Sequence, residues 1–158
     1  MKLTNFYGKP CDISTYLDLY KEGKHREVAE WLWSELYHQN NIGTASVAWV
    51  IEANSIFLRK SEIDWTYLGF IYAVMESLEE HKSIPCPRWA EGRCRIAAIR
   101  SLQYVLGAFP DAPTEEQRMA IVCISCAISG MYKSYSLIEY AWGGYEERLM
   151  ELDLEVKP

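Results

Sequence analysis

Between Glu35 and Val50 the chain reads Glu-Leu-Tyr-His-Gln-Asn-Asn-Ile-Gly-Thr-Ala-Ser-Val-Ala-Trp-Val. A short polar turn interrupts apolar residues set at helical intervals on both sides. Val28, Leu32 and Leu36 lead into it, and Val47, Val50 and Ile51 follow it. Apolar side chains three and four residues apart form one stripe on a helix, and that stripe must be buried. A chain that reads helix, tight turn, helix has to cover each stripe with another helix. Strand-type alternation is scarce, so the expectation is an all-α fold.

The same pattern continues along the chain. A first helix is expected over residues 13–22, capped by Asp12 and ended by Gly23. The second is expected over 25–39 and the third over 44–60. The fourth, over 64–82 and capped by Asp64 or Ser61, carries Leu68, Ile71, Met75 and Leu78. Trp65, Tyr67, Phe70, Tyr72 and Val74 make it apolar on nearly all sides, the mark of a central helix. Pro85 and Pro87 break the chain before a fifth helix over 89–108. Thr114 and Gln117 have the spacing of a capping box, opening a nearly wholly apolar and hence deeply buried sixth helix. A seventh is expected over 136–152, with Ile138, Trp142, Tyr145 and Leu149 on one side.

About seven helices with short connections pair as second with third, fourth with fifth, and sixth with seventh. The interval between pairs is about 40–50 residues, in the range of HEAT or armadillo repeats. The expectation is a single all-helical domain over residues 1–158, either a short HEAT-like α-solenoid or an irregular helical bundle. A chain of 158 residues can bury a core of its own without disulfides or metal.

Charge narrows the partners. The net charge of −6 opposes a nucleic-acid binder, which needs a basic footprint, and favours a basic protein partner. The five cysteines are odd in number and show no disulfide framework, as in a reducing compartment. No signal peptide or membrane span is legible, so the expected location is cytoplasmic.

The segment His38-Gln39, a short turn, then Ala45-Ser46-Val47-Ala48 resembles a helix junction of bacterial HEAT-like proteins. The likeness covers about 15 of the 158 residues, and Ile51 stands near the place where that pattern often has a proline. The resemblance implies a helical-repeat fold. It also points to small helical immunity proteins that neutralise the toxin of a rival bacterial strain.

Two candidate binding surfaces stand out. Trp33 and Tyr37 lie four residues apart and share a helix face, with Glu30 nearby, about 100–140° from the Val28/Leu32/Leu36 stripe. An aromatic anchor beside a carboxylate suits a basic partner. The second surface is acidic: Glu146, Glu147, Glu151 and Asp153, with Glu155 and with Tyr140 further along. Such a wall can imitate nucleic-acid phosphates and plug a nuclease cleft.

Other features read as structural. Arg95 projects from the side of Ala98, Ile99, Leu102 and Leu106, the expected core side of the fifth helix, where it would tie helix pairs together. Arg93 and Arg100 fall on the other side, solvated or facing a partner. Cys123 and Cys126 have a C-x-x-C spacing but sit mid-helix among Ile and Val, where a thiol is inert. His81, Cys86 and Cys94 lack paired metal-ligand spacing. The three histidines are scattered, and no phosphate loop or nucleophile elbow is present.

The sequence therefore reads as a non-enzymatic, cofactor-free binding protein. Its concrete form is an immunity protein for a contact-delivered or secreted bacterial toxin, a nuclease whose basic active site it occludes. The alternative is a general helical scaffold or adaptor.

Overall fold

Local chemistry marks where each helix starts and stops. In the computed structural model, which describes residues 2–39, 41–79, 86–108 and 114–130, Asp12 opens α1 (Ser14–Lys21). Its carboxylate accepts the Ser14 N–H at 2.9 Å and the Ser14 hydroxyl at 2.8 Å, which holds it below the usual carboxylate range. Gly23 ends the turn after α1 at φ +79°, a backbone region that costs glycine little. Then follow α2 (His25–Trp31), α3 (Thr44–Phe57), α4 (Trp65–Glu79), α5 (Arg88–Gly107) and α6 (Glu115–Ile128). Asp64 caps α4 by accepting the Tyr67 N–H, and Thr114 with Gln117 forms the capping box that opens α6. The expected seventh helix lies outside the described residues.

The second helix stops earlier than its periodicity implies. After α2 the chain widens into a π-helical turn (Leu32–Leu36) and leaves the helical path at Tyr37. Two short strands, β1 (Tyr37–His38) and β2 (Asn41–Ile42), then pair antiparallel, with Tyr37 opposite Ile42. Gln39 takes the positive φ of 47° that the turn between them requires. The Ser46 hydroxyl supplies a physical reason. It donates to the Leu36 carbonyl at 2.6 Å and accepts the Gly43 N–H at 3.2 Å, so the first turn of α3 anchors the end of the preceding helical segment.

The N-terminal residues form a strap over the start of α3. The Thr4 carbonyl accepts the Ala45 N–H at 2.9 Å, one of the donors a helix start leaves unpaired. The Thr44 hydroxyl accepts the Thr4 N–H at 2.9 Å and donates to the Lys2 carbonyl at 3.0 Å. Gly43 makes this approach possible, because a Cβ there would overlap the Thr4 and Asn5 carbonyl groups.

The core is aromatic at its centre. Trp49 of α3 lies 5.4 Å from the Tyr20 ring of α1, 5.9 Å from Tyr67 and 5.7 Å from Phe70 of α4. Phe57 closes the group at 4.7 Å from Tyr67. Helix α4 is central as expected, with Leu68, Phe70, Ile71 and Val74 fully buried. The fold is mostly helical, six helices packed together among the described residues. Its most extensive contacts are α3 with α5 and α4 with α6, rather than the sequential pairs expected of a HEAT solenoid. A buried polar tie joins α3 to α5: the Asn54 side-chain amide donates to the Ala97 carbonyl at 3.2 Å and the Ser101 hydroxyl at 2.8 Å.

Helix α6 is less buried than its composition implies. Cys123, Ile124 and Ala127 face the core, while Ile121, Val122, Cys126 and Ile128 are half-buried. No helix among the described residues is long and apolar enough to cross a membrane.

Candidate functional site

Helix α5 divides its faces by side-chain size. Ala90, Cys94, Ala97, Ala98, Ser101 and Val105 point inward and are buried. These side chains are small, so α5 can lie close to α3. Close packing leaves no room on that face for larger groups. Trp89, Ile96, Ile99 and Leu106 consequently lie on the solvent side, 56%, 51%, 37% and 57% exposed.

This corrects the face expected to be core. Ile99 and Leu106 are outside, and so is Arg95. The linking role expected of Arg95 survives in another form: its guanidinium donates to the Ile128 carbonyl at 2.8 Å, tying α5 to the C-terminal end of α6. A cation at a helix C-terminus is favourably placed. Arg88, Arg93 and Arg100 are also exposed, so the apolar stripe is bordered by guanidinium groups. A depression of ≈ 280 Å³ lies beside it, lined by Met75 and Leu78 of α4 and by Arg88, Glu91, Gly92 and Arg95 of α5.

The Trp33 and Tyr37 rings meet edge to face with centroids 5.3 Å apart, but not on one helix face as expected: Trp33 lies in the π-helical turn and Tyr37 opens β1. Trp33 also packs edge-on against Phe70 at 5.6 Å, so its inner side is covered and 42% of it remains accessible. Glu30 is exposed and pairs with Arg26 at 3.0 Å on its own helix. Tyr140, Glu146, Glu147, Glu151 and Asp153 lie outside the described residues, as does His81.

A polar cluster that sequence spacing does not reveal joins α1, α2 and the α3–α4 connection. His25 Nδ1 lies 2.9 Å from an Asp64 carboxylate oxygen, and His25 Nε2 lies 3.1 Å from Lys60 Nζ. Lys60 Nζ is also 3.5 Å from Nδ1, so the ammonium lies over the ring edge, and a proton on Nδ1 donates to Asp64. Lys60 also sits 3.9 Å above the Tyr20 ring. Burial pulls its amine below the usual lysine range, partly opposed by Asp64. The Tyr20 hydroxyl is buried without a well-formed hydrogen bond, and burial together with the Asp64 charge holds its pKa well above the ordinary phenol value. The open cleft over this cluster, ≈ 600 Å³, is lined by charges of both signs, including Lys21, Arg59, Glu22 and Glu62. Every member binds another member or a neighbouring carbonyl, which describes a clasp between helices.

Among the described residues no group of three or more His, Cys, Asp or Glu side chains is placed to hold a metal ion. Cys94 is fully buried, which pushes its thiol up to about 12, and Cys123 is buried within α6. Compared with protein-family models, curated proteins and solved structures, the chain matches none of them.

Proposed function

We propose that this chain is a helical protein-binding module, acting as a scaffold or adaptor, with the outer face of α5 as its principal contact surface. One observation carries the reading. A 20-residue helix spends its small side chains on the core and presents a tryptophan and three large aliphatic residues to solvent. Trp and Arg are the residues most enriched at interface hot spots, and this face supplies both. Burying it would gain roughly 1.5–3 kcal/mol for each large apolar side chain fully covered.

A photo-crosslinking amino acid at position 103, between Ile99 and Leu106, tests the reading in cells that make the protein. A defined set of partner proteins should be captured, and Ile96→Glu should abolish the capture while leaving the fold intact. Capture that Ile96→Glu does not diminish would refute the reading.

The toxin-neutralising immunity protein is a narrower version, with a basic partner meeting Glu30, Trp33, Tyr37 and the carboxylates near the C-terminus. The net charge of −6 and the partly accessible Trp33–Tyr37 pair support it. A one-to-one complex with a basic toxin domain, lost in Trp33→Ala, would favour it over the general adaptor.

A further inference from the structure

Charge on α5 runs against the sign of the whole chain. The helix carries Arg88, Arg93, Arg95 and Arg100 with Glu91 as its one carboxylate, in a protein of net charge −6. At about 100° per residue, Trp89, Ile96, Ile99 and Leu106 occupy roughly a 100° arc. Arg93 and Arg100 follow one border of that arc, and Arg88 and Arg95 the other. From Trp89 to Leu106 the stripe rises about 26 Å, close to five helical turns.

Accepting the outer face of α5 as a contact surface, we infer that its occupant is an acidic amphipathic helix of another protein. Its aliphatic side chains would lie along Trp89, Ile96, Ile99 and Leu106, and its flanking carboxylates would meet the arginine borders. Amphipathic helices place their anchors at three-, four- and seven-residue intervals, and the stripe repeats at seven, three and seven residues over a comparable length. Carboxylates pair with guanidinium groups in planar, two-pronged geometry.

Gly92 adds a second observation. It lies exposed within the helix, where a Cβ would meet nothing within 4 Å. Alanine there would stabilise the helix by about 1 kcal/mol. Glycine instead leaves the backbone open beside the ≈ 280 Å³ depression, where a bulky partner side chain can enter. Nucleic acid fits less well, because the middle of the stripe is aliphatic. An anionic membrane would be drawn to the same arginines, and vesicles separate it from a helix in the test.

The test uses the full chain and two synthetic 18-residue helices with the same leucine stripe, one flanked by glutamates and the other by lysines. Vesicles of phosphatidylserine and phosphatidylcholine form a third arm. Calorimetry at low salt should show the glutamate peptide binding at least about tenfold more tightly than the lysine peptide. Arg93→Glu with Arg100→Glu should erase that preference, and Ile96→Glu should abolish binding. Ile96→Ser serves in its place if the glutamate variant fails to fold. Equal or weaker binding of the glutamate peptide, or none, overturns the inference. So does vesicle binding without peptide binding, or a dimer of the chain that Ile96→Glu dissociates. If crosslinking at position 103 still captures a partner that Ile96→Glu abolishes, the acidic-helix inference fails while the protein-binding reading stands.

Discussion

Helices α3 and α5 pack on one another, yet they handle their apolar residues in opposite ways. In α3 nine of the fourteen residues from Thr44 to Phe57 are buried, and Trp49 and Phe57 fill the centre of the protein. In α5 the buried face holds alanines, a cysteine, a serine and one valine, while its tryptophan, isoleucines and Leu106 stand in solvent. Hydrophobicity alone does not separate these outcomes. Space does. The large side chains of α3 already occupy the interior, so the helix lying on them must present small ones.

Four substitutions probe this contrast, in descending order of their effect. Phe57→Ala on α3 should cost about 3–5 kcal/mol, measured by urea unfolding, because it opens a cavity beside Tyr67 and Tyr104. Ala97→Leu on the inner face of α5 should cost about 1–3 kcal/mol although it adds hydrophobicity, since the added atoms meet a packed surface. A stabilised Ala97→Leu variant would show that the face has spare room. Gly92→Ala should raise stability by about 1 kcal/mol in the isolated protein, read as a higher unfolding midpoint, and weaken partner capture. Leu106→Ala should change stability by no more than about 0.5 kcal/mol, as expected for an exposed side chain. A loss of several kcal/mol at Leu106 would mean that the stripe is core after all.

The helices were legible in the sequence where their ends are built from neighbouring residues. Asp12 with Ser14, Gly23, Asp64 with Tyr67, and Thr114 with Gln117 each act within four positions, and the structure uses them all. The early end of the second helix was not legible, because the Ser46 hydroxyl reaches back ten residues to the Leu36 carbonyl. The Lys60–His25–Asp64 clasp was hidden for the same reason: Lys60 and His25 stand 35 residues apart.

The α5 surface departs from its apolar periodicity for a different reason. Apolar periodicity weighs isoleucine and leucine above alanine, and so placed Ile99 and Leu106 inside. A signal was nonetheless present. Ala90, Cys94, Ala97, Ala98, Ser101 and Val105 recur at three- and four-residue intervals, a small-residue face of the kind that lets helices approach closely. The Trp33–Tyr37 contact forms between the π-helical turn and β1 rather than along one helix face, and its partial cover by Phe70 depends on α4, so neither follows from four-residue spacing.

The division of α5 into a small inner face and a large outer one is tested most directly by placing the same charge on each. Urea unfolding of Ala98→Glu and Ile96→Glu compares two positions only two residues apart. Ala98→Glu should destabilise the protein severely, because it buries a carboxylate without a partner. Ile96→Glu should stay within about 0.5 kcal/mol of the parent. The reverse order, with Ile96→Glu unfolding the protein and Ala98→Glu tolerated, would contradict the account.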